Sequence, residues 1–245
     1  MSEKRARILV LGGSGAIGAA VVEALAAEGA AVVASFHRGR EVAEGLVGKG
    51  SALAAVHLDL AEVEALRRGV SAAVDSLGGL DGVVFCAGVA PSTQPLAALP
   101  SLESLTPESW QRHADVELRG LVFAMQAVAP HLREGGNIVV LASLDAAKPV
   151  PAPLLSTSAQ GAKAALARTL AKSLGPHNIR VNVVAAGLLE VGASQLLPRS
   201  LVDDFVAHCA AGRLGQVREI ADVLTWFALE NTYVNGQCVV VDGGI

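Results

Sequence analysis

The sequence predicts an α/β fold, a single doubly wound parallel sheet of about seven strands with helices on both faces. Three observations carry this. Short apolar runs rich in Val, Ile and Leu alternate with longer stretches of helical periodicity along all 245 residues. Most of those short runs are continuously apolar, the pattern of parallel strands covered on both faces. A cluster of glycines, Gly12, Gly13, Gly15 and Gly18, joins the first run to the first helix.

The strand candidates, in order, are Arg7–Leu11, Ala31–Phe36, Ala52–Leu58, Gly82–Cys86, Asn137–Ala142, Arg180–Ala185 and Gln237–Val241. The helix candidates fall at about 16–28, 39–48, 62–77, 107–133, 158–175, 200–210 and 216–230. The first helix sets Ile17, Val21 and Leu25 four apart, so one face meets the sheet. The fourth opens with Thr106 as N-cap and Pro107 at the first helical position. The fifth is rich in Ala (159, 162, 164, 165, 167, 171), which favours helix and permits close helix contact. No linker or repeat interrupts the alternation, so residues 1–245 are expected to form one domain. Irregular insertions at 89–105 and 187–199 follow strand ends, where ligands of such sheets bind. They are expected to rim a site, with 187–210 as a lid on its substrate side. Leu188, Leu189, Leu196 and Leu197 suggest an apolar ligand or a partner surface there.

Composition excludes several other functions. Hydrophobic residues make up 52% and charged residues 17%, which rules out a disordered chain. Aromatics are 3%, five Phe, two Trp and one Tyr, and the net charge is −4, so neither nucleic acid nor an anionic membrane is an expected partner. Cys86, Cys209 and Cys238 are far apart, and the six His form no metal-ligand spacing, so no disulfide framework or metal site is expected. His57 is expected to end a strand, and His113 and His131 to face outward. The short charged start reads poorly as a signal peptide, and prolines break the longest uncharged run, 82–102. A cytoplasmic protein is the expectation.

Gly13, Gly15 and Gly18 satisfy GxGxxG, and the loop stands between strand and helix as phosphate binding requires. Its glycines let backbone approach a pyrophosphate whose charge faces the helix N-terminus. The second strand ends in Ser35-Phe36-His37-Arg38-Gly39-Arg40, with no carboxylate before Glu41. An acidic residue there would meet a free ribose hydroxyl. Arg38, with His37 or Arg40, instead suits a 2′-phosphate, so NADP(H) is expected over NAD(H).

At this point the chain resembles the short-chain dehydrogenase/reductase family over nearly its whole length, and most the branch containing 3-oxoacyl-acyl carrier protein reductases. The carrying segments are Gly12–Gly18, 57–60, 85–88, 138–143, Lys163, Arg180–Gly187, 212–216 and 235–244. The resemblance implies a Rossmann-type fold, with Gly12, Ser14, Gly15, Ile17 and Gly18 at the cofactor phosphates. It also implies Asp59 and Leu60 at the adenine, Ala87 and Gly88 on the ribose side, and Gly187 and Leu189 about the nicotinamide. Helices 107–133 and 158–175 correspond to the family's dimer-forming pair, so a homo- or hetero-oligomer is implied.

A carbonyl that accepts hydride needs a proton. In the family a Tyr donates it, a Lys four residues later lowers the Tyr pKa and binds ribose, a Ser polarises the carbonyl, and an Asn orders a water. By resemblance Ser143 is that serine and Lys163 that lysine. The position four before Lys163 is Ala159, and Glu117 replaces the Asn. Ser143 to Ala159 is 16 residues, a few more than the family usually shows, and the proline-rich 149–153 accounts for the excess. The lone tyrosine, Tyr233, lies 70 residues past Lys163. Ser156 and Ser158 lie near the missing phenol but are far weaker acids. Glu117 either donates a proton or, the favoured reading, pairs with Lys163. Cys86, near the nicotinamide side, is expected to be inert.

Three functions are compatible with this set. One is an NADP(H)-binding protein of weak or no catalysis that assembles with an active ketoreductase subunit. A second is an NADPH-dependent reductase of carbonyl or 3-oxoacyl compounds with another proton donor. The third is a sensor of cofactor level.

Overall fold

The computed structural model describes residues 5–89 and 92–245; residues 1–4, and positions 90 and 91 within the first insertion, lie outside it. Strands β1 (Arg7–Leu11), β2 (Ala31–Phe36), β3 (Ala54–His57), β4 (Leu80–Phe85), β5 (Leu132–Ser143), β6 (Arg180–Ala186) and β7 (Cys238–Val241) form one sheet. Its order is β3-β2-β1-β4-β5-β6-β7, with every pairing parallel. The connecting helices are α1 (Ala16–Ala27), α2 (Arg40–Gly48), α3 (Val63–Leu77), α4 (Pro107–Ala114), α5 (Leu121–Val128), α6 (Leu154–Leu174), α7 (Arg199–His208) and α8 (Val217–Leu229). The strand order reverses between β1 and β4, so the crevice at their carboxyl ends is the switch point where such sheets take ligands.

Side-chain alternation along β1 builds both cores. Leu9 and Leu11 face α3, α5 and α6, while Ile8 and Val10 face α1 and α8. Val21 and Leu25 are fully buried and Ile17 packs beside them, as their spacing predicts.

Three local departures from the sequence reading shape the site. The long helix expected over 107–133 is not continuous. Thr106 caps α4 through a capping box with Ser109, but residues Asp115–Gly120 form a π-helical turn before α5, and the helix ends at Val128. Pro130 cannot continue the backbone ladder, so a short 3-10 turn, Ala129–His131, leads straight into β5. The helix expected from 158 begins four residues earlier, at Leu154. Pro153, with φ −61° and ψ 128°, stands at the capping position, and no proline follows it before the helix ends. His113 is buried, not outward-facing, because α4 packs against α6 on that side. His57 and His131 are exposed.

Asp81 ties three strands together at the edge opposite the crevice. Its carboxylate accepts from the Arg7 backbone N–H (2.9 Å) and guanidinium (2.7 and 3.0 Å), and Arg133 Nε stands 2.9 Å away. Burial pushes the Asp81 carboxyl up, but hydrogen bonds from Arg7 and the charges of Arg133 and Arg7 outweigh it and hold it below the usual range. Replacing Asp81→Asn is expected to cost about 1–3 kcal/mol at neutral pH. Because the folded carboxyl titrates below its unfolded value, that contribution is complete above about pH 4 and fades as pH falls through the depressed value. Urea unfolding of both proteins at neutral and acid pH will show the gap narrowing in acid.

Candidate functional site

The crevice is built first from backbone. Gly12 leaves β1 with φ +80°, and a Cβ there would stand 2.7 Å from the backbone of Ala87. This is a close approach that only glycine makes without strain. Gly15 caps α1 with no side-chain hydrogen bond, so the first amides of α1 have no capping partner and open on the cavity that Gly15, Ile17 and Gly18 line. Free amides at a helix N-terminus suit a pyrophosphate.

Beside this loop lies a recess of about 100 Å³. Gly12, Asp59, Leu60, Ala87 and Gly88, which the resemblance drew from three separate strand ends, line it together with His37 from the end of β2. Asp59 accepts from the Ala61 N–H (2.9 Å) and stands 3.5 Å from His37 Nε2. Arg38 is exposed and has no ion-pair partner among the described residues. The next residue, Gly39, allows the turn to close on Ser14, since a Cβ there would lie 2.8 Å from Ser14 Oγ. Ser14 and the Arg38 turn thus share one edge of the crevice.

The main cavity, about 610 Å³, runs from the glycine loop past Cys86, Gly88, Ser143 and Gly187 to a mostly apolar end under α7. Its far wall comes from the segment expected to be a lid, through Leu188, Leu189, Leu196, Leu197 and Phe205. Leu189 is fixed by a parallel bridge to Gly215 and by Ser194, which donates to its carbonyl. The two insertions meet where Leu96 N–H donates to Leu196 O at 2.8 Å.

At the back of the cavity Lys163 Nζ and Glu117 Oε2 are 2.7 Å apart, with side chains only 3% and 2% exposed. The approach lies off hydrogen-bond alignment, so it is a contact of charges. The other oxygen, Oε1, accepts from the Val89 N–H at 2.5 Å, which secures the loop after β4. His113, one turn before Glu117, is buried against the same pair with Nε2 unpartnered among the described residues. Burial holds its pKa low, Glu117 opposing and Lys163 adding to the effect. Burial also pushes the Cys86 thiol up to about 12, against the pull of Lys163, so it is an unreactive thiol at neutral pH.

Helix α6 turns Ser156, Gln160 and Lys163 towards the cavity. Ala159 is buried and contributes nothing to the wall. Gln160 Oε1 accepts from the Ser143 N–H at 3.1 Å, so its oxygen and nitrogen are assigned by the network, and its NH₂ has no partner among the described residues. Sequence reasoning passed over Gln160. The available signal was its spacing, four residues after Ser156, on the helix face that Lys163 also occupies. Among the described residues no group of side chains is arranged to hold a metal, and no helix is long and apolar enough to cross a membrane.

Comparison with known proteins agrees with this geometry. A family model described as Enoyl-(Acyl carrier protein) reductase matches residues 12–245. An uncharacterized oxidoreductase of Methylorubrum extorquens is 32% identical over 254 residues, spanning 100% of both chains. Among solved structures, a short chain dehydrogenase of Burkholderia cenocepacia in complex with NADP superposes with TM-score 0.86 at 31% identity, covering 98% of this chain and 97% of that one. A blue fluorescent protein from a metagenomic library in complex with NADPH gives 0.84 at 29%, covering 98% of each. None of the three bears the name of a 3-oxoacyl-acyl carrier protein reductase, so the likeness stands at the level of the family.

A buried ion pair is costly to halve. Lys163→Met or Glu117→Gln alone is expected to lose about 3–5 kcal/mol of stability, whereas the double variant recovers much of it. Denaturant unfolding of the two single variants and the double closes this cycle.

Proposed function

The chain belongs to the short-chain dehydrogenase/reductase family of NAD(P)-binding oxidoreductases, and within it we propose that this member binds NADP(H) and reduces carbonyl compounds weakly or not at all. The single observation that carries this reading is the cavity face of α6. It presents Ser156 and Gln160 one turn apart, with Lys163 held by Glu117 and no phenol within the wall.

Ser156 follows Ser143 by 13 residues, and Gln160 follows Ser156 by four. Both positions line the cavity and have the same separation as the family's Tyr and Lys, which supports them as counterparts of that pair. A bound nicotinamide would supply hydride. The protein's part is to hold the cofactor on the α1 amides and to protonate the developing alkoxide. A serine hydroxyl is a far weaker acid than a tyrosine, whose reference pKa is ~10. Gln160 carries no charge to lower the pKa of a neighbour, and the Lys163 ammonium is already engaged. Losing a positioned acid typically costs ~10²–10⁴-fold in rate.

Support for NADP(H) over NAD(H) comes from the unpaired Arg38 beside Ser14, and from the NADP and NADPH named in the two related structures. Assembly with a second subunit, active or identical, is favoured by the exposed Trp110 and Val122 on the helices of the family's dimer-forming pair. Four of the six alanines on α6, Ala159, Ala164, Ala167 and Ala171, are buried within this chain's own core and so leave little for such an interface.

NADPH is expected to bind and NADH to bind more weakly, with Arg38→Ala removing the difference in a fluorescence titration. The wild-type protein is expected to turn over a 3-oxoacyl thioester at least about 10²-fold more slowly than a tyrosine-bearing relative, and Ser156→Tyr with Gln160→Lys to regain activity. Ala159→Tyr is expected to overpack α6 instead, costing about 1–3 kcal/mol or more without a gain in rate. Ordinary turnover by the wild-type protein, or rescue by Ala159→Tyr alone, would sink the proposal.

A further inference from the structure

The π-helical turn, Asp115–Gly120, reaches both cavities. Val116 lines the small recess, and the next residue, Glu117, lines the main cavity. It is the one π-helical segment among the described residues, and such turns occur often at functional sites. One side of the turn is keyed to the wall of the recess. Asp59 and Leu60 line that recess, and Ala61 follows them, donating its N–H to Asp59 Oδ1 at 2.9 Å. Arg119 Nη2 donates to the Ala61 carbonyl at 2.5 Å, and Arg119 Nη1 stands 3.2 Å from Asp115 Oδ1 at the start of the turn. Gly120 packs so closely that a Cβ there would lie 2.8 Å from the Leu60 carbonyl oxygen.

The other side is keyed to the main cavity. Glu117 Oε1 accepts from the Val89 N–H at 2.5 Å, and Oε2 lies 2.7 Å from Lys163 Nζ. A Cβ on Gly88 would stand 2.8 Å from Glu117 Oε1, so the loop after β4 rests directly on that carboxylate. Arg119 lines neither cavity, and its side chain is half exposed, so it acts only through the turn. A ligand filling the recess meets Leu60 and Val116 and orders the turn from one side. A ligand in the main cavity meets Gly88, Val89 and Lys163 and orders it from the other. Ordering costs conformational entropy, and a second ligand finds that cost already met by the first.

We propose that the π turn couples the two halves of the crevice, so that filling the recess orders the loop after β4 and strengthens binding in the main cavity. Arg119 is the positioning residue that carries the coupling. This deepens the proposed function and rests on its reading that a dinucleotide occupies both halves. The effect is reciprocal, since each ligand must favour the other by the same factor.

The test uses the full chain and the two halves of the dinucleotide as separate probes, adenosine 2′-monophosphate for the recess and nicotinamide mononucleotide for the main cavity. Saturating adenosine 2′-monophosphate is expected to slow hydrogen exchange at the Val89 amide at least about threefold. In calorimetric titrations it is expected to tighten nicotinamide mononucleotide binding about fivefold or more, a usual size for coupled sites. Arg119→Met should bring the tightening below about twofold while each probe alone still binds. Arg119→Lys keeps a donor for the Ala61 carbonyl and should restore most of the effect. Nicotinamide mononucleotide affinity indifferent to the other probe overturns the proposal, as does unchanged exchange at Val89. Full coupling in Arg119→Met also overturns it, because a direct contact between the two probes would persist in that variant. If neither probe nor NADP⁺ binds, the proposed function falls and the coupling with it. Probes that bind without coupling sink the coupling alone, so the two failures are distinguishable.

Discussion

Glu117 and Lys163 are full charges with almost no access to water, and neither is tolerable in the interior without the other. Their contact joins three parts of the chain that share no backbone. Glu117 sits in the π-helical turn between α4 and α5, Lys163 on α6, and through Oε1 the glutamate also holds Val89, which follows the Gly88 that lines both cavities. The floor of the crevice is therefore positioned by an ion pair. The same contact removes the lysine from the chemistry that a free ammonium beside a cofactor would perform.

The crevice divides into two halves of different character. The glycine loop and the recess lined by Asp59, Leu60 and Ala87 depend on backbone amides and close packing, which tolerate few alternatives, and they fit a dinucleotide throughout. The other half depends on side-chain chemistry, and its wall presents Ser143, Ser156 and Gln160. Gln160 is anchored there by the Ser143 N–H. On the proposed reading, this half lacks a strong acid for a reacting oxygen. Binding and proton transfer are separable properties of one cavity.

Much of this was legible in the residues alone. The seven strands, the loop after β1 and the lone tyrosine far from the crevice follow from local patterns, because apolar runs and glycine spacing act over a few residues. The favoured pairing of Glu117 with Lys163 was legible as well, from the resemblance that set both residues at one site. His113 was not. Its neighbours on α4 are polar, and only the docking of α6 against that face buries it. The break between α4 and α5 was also hidden, since residues 115–120 carry no proline and nothing in them announces a π turn.

The sequence by itself determined the class of fold, the phosphate-binding loop and the absence of a tyrosine from the helix that should carry one, all of which depend on residue identity at short range. Only the tertiary structure decided which side chains of that helix reach the cavity. Each residue turns a helix by about 100°, so a shift in where the helix starts or how it docks exchanges one set of facing residues for another. That phase comes from the start at Leu154 and from packing on the sheet, contacts distant in sequence. It puts Ser156 and Gln160, and not Ala159, on the wall of the cavity.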